Sequence, residues 1–396
     1  MAVKPEIAIE CLHDSQQFLN LKEAWDRLLE KSDVRSPFLT HGWHSSWLTT
    51  YGTQSKLVVF VARRAGEIVG IIPCVQRTRF GFKVLELTGT GKSDWLDLII
   101  DPPFREGVLK ELLSYLVTHR DCWHLINFRD MLSDSPSIAE LEHLCRLLHL
   151  PLRKQVRTVS PYLLIDKGWN EYLGTKSAKF RSNIKYYRKK AIETGKTFSI
   201  KKLAEMDQRH QLLDAMGKVE AKSWKARAGT PKLTTRVGKE FYGKFSDYFS
   251  EMGCLEIWTA SLGEQVIAFL LNIVYEDKCY HYNATYDEGF CDLSPGTLLH
   301  AEAIKAAFDR RLREYDFLSG DEPYKYKWCE SRRDIYQMVI FRRTPVSFAA
   351  FLAVIRLRWF LKKYDIVIRM KQKLEHWKRR LVKQRSAARM DPDATT

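Results

Sequence analysis

Apolar positions along this chain recur with two periods, and the changes of period mark its elements. Glu6 to Cys11 alternates and predicts a strand, while Phe18, Leu21, Trp25, Leu28 and Leu29 repeat at helical spacing. Pro37 to His41 leads into a short helix with Trp43 and Trp47, a pair whose spacing favours core packing over a substrate wall. Strands are predicted over 56–62, 68–75 and 83–88, the first two joined by a hairpin-like connection with Gly66 at the turn. The apolar run Leu98 to Ile100, helices over 106–118 and 138–148, and strands over 123–128 and 152–156 complete a first α/β unit.

A second unit starts near Trp169. Residues 177–190 form a basic helix that Gly195 can end, followed by a strand over 198–203 and a helix from about Asp207 to Trp224. A further helix, 236–249, precedes two long strands, 254–261 and 264–275, joined at Leu262-Gly263. Tyr280 to Tyr286 is dense in aromatic and β-branched residues and predicts another strand. Ser294-Pro295-Gly296 interrupts it, and an apolar-periodic run from Leu298 to Phe308 predicts a helix. A strand that turns into a helix start with free N–H groups suits an anion, because those donors and the helix dipole face the turn. Tyr315 to Leu318 is a short strand, followed by the polar segment Gly320 to Trp328. The two units share their order of elements without a clean sequence repeat, which predicts two related α+β units side by side.

Composition narrows the class. With 396 residues, two domains are the default, and the chain is an ordinary globular one until its last ten residues. The first residues carry no apolar stretch of signal type, and no run approaches a membrane span, so a cytoplasmic location is expected. The eight cysteines show no CxxC pair, and no zinc or other metal site is expected. The net charge is +16, of which roughly +11 falls between Val346 and Met390, arguing against a protein that wraps nucleic acid with its whole surface. In that tail, Phe348, Leu352, Ile355, Trp359, Ile366, Met370, Leu374, Trp377 and Leu381 follow three/four spacing among basic residues. This is the pattern of an interfacial helix and predicts peripheral attachment to the inner membrane face, or docking on the protein or a partner. Thr88-Gly89-Thr90-Gly91-Lys92 only superficially resembles a nucleotide loop, lacking the required spacing.

The segments 38–47, 177–184, 220–225, 286–296 and 316–325, in that order, resemble the CelD-like GNAT acyltransferases, relatives of the FemAB peptidyltransferases; the resemblance spans about residues 15 to 343. It implies two tandem GNAT-like domains, expected here at 1–165 and 166–344, followed by the amphipathic segment 345–386 and a disordered tail, 387–396. It further implies transfer of an acyl group to an amine. Members are often linked to bacterial cellulose, exopolysaccharide or capsule synthesis. The donor in GNAT relatives is acyl-CoA and in Fem-type relatives aminoacyl-tRNA; the lack of a long coiled-coil insertion favours CoA here. A non-catalytic scaffold of a synthase complex is a further alternative.

Acyl transfer requires a deprotonated amine, a polarised carbonyl, a stabilised leaving thiolate and alignment of both substrates. Backbone N–H groups of the strand 280–286, which carries a bulge in GNAT folds, are expected to hold the carbonyl. Ser294, Gly296, Thr297 and Leu298 are the candidates for the donor's pyrophosphate. Lys325 is the pointed catalytic candidate, because Fem-type enzymes place a lysine in a comparable aromatic segment; a solvated lysine, with Lys327 turned inward instead, is the alternative. Glu220, Asp321 and Tyr286 complete the catalytic candidates. Glu220 is a proton acceptor or an exposed partner of Lys225 or Lys218; Asp321 and Glu322 bind the amine or pair with Lys325. Trp224, His281 and Tyr324 are the substrate-binding candidates, His281 being otherwise a satisfied sheet histidine.

Overall fold

The computed structural model describes residues 6–119, 122–202 and 209–347. Contacts divide the chain into two compact units, 1–340 and 341–396. The segment 345–386 expected to be an amphipathic helix, and the tail 387–396, lie outside the described residues from 348 onward.

In the first half the elements run β1 (Ile7–Leu12), α1 (Ser15–Asn20), α2 (Lys22–Lys31), α3 (His41–Leu48), β2 (Lys56–Arg64), β3 (Glu67–Arg79), β4 (Phe82–Leu87), β5 (Ile99–Ile100), α4 (Arg105–Thr118), β6 (Leu125–Leu132), α5 (Pro136–Leu147) and β7 (Leu152–Leu164). The second half continues with α6 (Trp169–Thr175), α7 (Ala178–Ile192), β8 (Phe198–Lys202), α8 (Arg209–Ala221), α9 (Trp224–Arg227), α10 (Arg236–Glu251), β9 (Leu255–Leu262), β10 (Gln265–Tyr275), β11 (Lys278–Tyr286), α11 (Pro295–Asp309), β12 (Glu314–Asp316) and β13 (Ser331–Phe341). The apolar runs and helix caps account for most boundaries. Thr235, for example, caps α10 by accepting from the Gly238 N–H at 3.0 Å.

The strand order is β1-β2-β3-β4-β6-β13-β7-β12-β11-β10-β9-β8, with β5 pairing β3 off this path. Read from its two ends, the order gives the same motif twice. Antiparallel strands come first; then β4 runs parallel to β6, and β11 parallel to β12, each pair bridged by a helix (α4 or α11). The last strand of each half is exchanged: β13 lies beside β6, and β7 beside β12. The expected division near 165 therefore falls at the end of β7, inside a sheet that continues across it. β7 is also much longer than the short strand the sequence predicted, because its polar residues pair along β13.

Apolar packing joins the halves. Trp43 and Trp47 are core residues, and the Trp43 ring meets Phe241, Phe245 and Tyr282 from the second half at centroid distances of 5.1–5.3 Å. Among the described residues, no helix is long and apolar enough to cross a membrane.

Candidate active site

β11 and β12 are parallel partners only from Lys278–Tyr280 against Glu314–Asp316. β12 ends at Asp316, so from His281 onward β11 has strand partners on its β10 side alone. The β10–β11 register skips Tyr282, since Leu271 faces Asn283 and Asn272 faces His281. This is the bulge expected of the strand, and it re-aims the backbone that follows. The Asp287 N–H donates to the Ile267 carbonyl at 2.8 Å. By the alternation of an antiparallel ladder, that bond turns the N–H and C=O of Tyr286 and Ala284 away from β10, toward the open edge. Lys225 reports the same orientation, its Nζ donating to the Ala284 carbonyl at 2.8 Å.

Beyond β11 the chain makes a 3-10 turn and enters α11 through Ser294, which is left-handed at φ 46°. A non-glycine residue held there stores about 1–3 kcal/mol of strain. The Ser294 carbonyl accepts from the N–H groups of Thr297 and Leu298, and its hydroxyl pairs with that of Thr297 at 2.9 Å. Pro295 has no N–H, leaving the Gly296 N–H as the first-turn donor with no partner among the described residues. A Cβ at Gly296 would stand 3.5 Å from the Tyr286 ring, so glycine keeps this donor open to close approach. The basic helix α7 packs on α11 and on the turn before it. Tyr286, Ser294, Gly296 and Thr297 are thus brought together. Leu298 is different: it is fully buried, and its side chain faces the core rather than a ligand.

Lys325, rather than Lys327, is the inward lysine, and it is buried rather than solvated. Its Nζ donates to the carbonyls of Leu318 (3.0 Å), Ser319 (2.9 Å) and Gly320 (3.2 Å) and pairs with Glu322 at 3.0 Å. Leu318 is itself left-handed, at φ 57°, and its N–H donates to Asp316 Oδ1 at 2.6 Å. Lys325 therefore fastens the loop after β12. Asp321 does not pair with it; Asp321 is exposed and accepts from the Tyr326 hydroxyl.

Glu220 is not an exposed partner of Lys218 or Lys225, because it is fully buried. Its Oε2 accepts from the N–H groups of Lys232 (2.7 Å) and Leu233 (2.5 Å), whereas Oε1 has no partner among the described residues. Trp224, at the start of α9, is 45% exposed, leaving its face available. His281 is the satisfied sheet histidine: its Nδ1–H donates to Asn272 Oδ1 at 3.2 Å. Burial first, and then His300, holds it well below the usual imidazole range, so it stays neutral. His300 donates to the Gly296 carbonyl at 2.7 Å and is pushed down to about 4 by burial. Tyr324, 37% exposed, packs its ring 5.4 Å from His300.

Four charged residues that sequence reasoning passed over converge on the open edge. Lys225 donates to Asn283 Oδ1 as well as Ala284 O. Lys232 Nζ stands 4.7 Å from the Tyr282 ring, and the Tyr282 hydroxyl donates to the Lys92 carbonyl at 3.0 Å. Burial, more than the opposing pull of Lys232, Lys325 and Arg157, raises the Asp94 carboxyl. Lys92 also lines a cleft of about 860 Å³ in the first half, with Trp47, Tyr51, Lys56, Arg77 and Arg79 on its walls. No metal-binding cluster of His, Cys, Asp and Glu occurs among the described residues.

A strand pair that parts beside a helix start, with a bulge in the inner strand, defines an acyltransferase fold of the GNAT kind. Residues 178–326 match the family described as an acetyltransferase (GNAT) domain, so this part of the chain carries a GNAT-type domain. Solved structures share the fold over most of the chain at low identity. FemX is 12% identical, with 83% of this chain and 96% of that one covered and a TM-score of 0.57. The C-terminal domain of a putative lysylphosphatidylglycerol synthetase from Agrobacterium fabrum is 11% identical, covering 85% and 96%, with a TM-score of 0.55. L-PGS from Bacillus licheniformis is 11% identical, covering 90% and 99%, with a TM-score of 0.50. At such identities the likeness establishes the fold alone. No curated protein sequence matches the chain.

Proposed function

We propose that this protein moves an acyl group from acyl-CoA to a primary amine, an amino sugar or similar acceptor, in bacterial envelope, exopolysaccharide or cellulose synthesis. The observation that carries this reading is the continuity of the open β11 edge with the unpartnered Gly296 N–H. A carrier whose phosphates accept from the Gly296 N–H runs along that edge and brings its carbonyl to the Ala284 N–H. Gly296 fits such a group because its N–H is unpartnered among the described residues and only the Tyr286 ring stands within 4 Å of where a Cβ would lie. Tyr286 and Trp224 flank the carrier. Lys325 contributes by holding the 318–320 loop against the site, and Tyr324 and His281 support the helix start from below. The acceptor occupies the polar region between Asp94, Lys232 and the first-half cleft.

The donor is tested with purified protein and a panel of CoA thioesters. A thioester at a hundredfold its Kd stabilises the fold by about 2.7 kcal/mol and raises the melting temperature. If CoA and all its thioesters leave the melting temperature unmoved, the donor assignment fails. An aminoacyl-tRNA donor is the second reading. It is favoured by the basic helix α7, which packs on α11, and by neighbours titled FemX and lysylphosphatidylglycerol synthetase. Salt-sensitive retention of charged tRNA on a filter would select it.

A further inference from the structure

Resting on the acyltransferase reading, we infer that Lys225 is the catalytic base, its lone pair taking the proton from the acceptor's ammonium at the open edge of β11. Several independent features lead there. Lys225 follows the first residue of α9, whose cap fixes it: the Ser223 hydroxyl accepts from the Lys225 N–H at 3.2 Å. From that anchor the side chain reaches the one stretch of β11 whose backbone faces no strand. Its Nζ donates to the Ala284 carbonyl and to Asn283 Oδ1. Asn283 is held in turn, its Nδ2 donating to the Tyr242 hydroxyl at 2.9 Å. A neutral amine has two hydrogens and one lone pair. With both hydrogens fixed on these two acceptors, the lone pair has a single remaining direction.

The surroundings favour the neutral form. Burial, and then the neighbouring Lys232, pull the Lys225 ammonium down to about 7. The charged groups facing it are Lys232 in the loop after α9, Glu220 on α8, and Glu322 and Lys325 after β12; the two carboxylates oppose the shift. Of the other base candidates, Glu220 and His281 are tied by hydrogen bonds of their own, although Glu220 keeps Oε1 unpartnered among the described residues. Glu220 Oε2 accepts two backbone N–H groups, and His281 is committed to Asn272.

The step balances without a further reactant. Lys225 takes one proton from the acceptor ammonium. The freed nitrogen pair forms the C–N bond at the thioester carbonyl carbon, and the C–S bond breaks. The leaving thiolate departs with the second amine proton, giving amide and free CoA thiol, and Lys225 returns its proton to solvent.

The test uses the full chain, acetyl-CoA and glucosamine, with released thiol measured from pH 5.5 to 9. Wild type should show kcat/KM falling below an apparent pKa near 7. Lys225→Arg keeps a cation and both carbonyl contacts but cannot give up its proton. It should bind acetyl-CoA as wild type does, lose at least about 100-fold in kcat/KM, and show no limb near pH 7. Aminoethylation of Lys225→Cys restores a nearly isosteric, less basic amine; activity should return with the limb moved to lower pH. A Lys225→Arg enzyme that keeps the wild-type limb, or an aminoethylated variant whose limb does not move, overturns the assignment while acetyl-CoA turnover still supports the acyltransferase reading. Wild-type protein that releases no thiol in any arm overturns that reading, and this inference with it.

Discussion

Gly296 offers the sharpest separation between a binding surface and an ordinary helix start. Its N–H is unpartnered, and an added Cβ would meet the Tyr286 ring at 3.5 Å, an ordinary van der Waals distance. Gly296→Ala should therefore fold normally, and replacing glycine by alanine inside a helix is worth up to about 1 kcal/mol in favour of the helix. Gly296→Val adds branches beyond that Cβ on the side from which a phosphate must approach. One charge-assisted hydrogen bond is worth about 1.5–3 kcal/mol, which is roughly a 10- to 150-fold change in Kd at 1.4 kcal/mol per tenfold. Isothermal titration with CoA should show that loss for Gly296→Val, while Gly296→Ala stays within a few-fold of wild type and both melt no lower than wild type by more than a few degrees. A folded Gly296→Val protein with wild-type CoA affinity would refute the placement of the carrier.

Other expectations concern the loop, the pH profile of stability and the tail. Lys325→Met removes the three donors that hold the 318–320 carbonyls, and urea unfolding should show a loss of about 3 kcal/mol; a change below about 0.5 kcal/mol would contradict the fastening role. Lys225 holds its proton in the unfolded chain to about pH 10.4 but loses it near 7 in the folded one. The unfolded state thus binds more protons between those values, and stability gained from this group rises with pH across that window and is flat below it. The stability difference between wild type and Lys225→Met, followed by urea titration from pH 6 to 10, should therefore grow in wild type's favour. A difference without slope would mean the ammonium is not held neutral. Finally, the cationic segment 346–386 should float the protein with vesicles of anionic lipid, and removal of 346–396 should abolish flotation; equal flotation with and without it would reject membrane attachment.

Much of the fold was legible because its signals are local. The alternation of β1, the helical spacing in α2 and the Pro-Gly start of α11 each report their own element, and the strand–turn–helix–strand order from 280 to 318 survives into the structure. The exchange of β7 and β13 was not legible. β7 was predicted only over 152–156 and β13 was not predicted, and their partners lie more than a hundred residues away. The candidate site shows the same division. The helix start at Ser294 to Thr297 announces itself by residue type, whereas Lys225 is one lysine among Lys222, Lys225 and Lys232. What distinguishes it is the bulge at Tyr282 and the early end of β12, which turn the Ala284 carbonyl toward it. Lys325 was legible as an unusual lysine, but its three carbonyl partners come from a left-handed loop that no local pattern encodes.

The most direct measurement of the central claim is residue-resolved amide hydrogen exchange with and without acetyl-CoA. The Ala284 and Gly296 amides face the open edge and the helix start, so both should slow at least tenfold on saturation, with Phe269 and Leu271 on β10 unchanged. Protection confined to the first-half cleft around Arg77 and Lys92, with Ala284 and Gly296 exchanging as before, would contradict it.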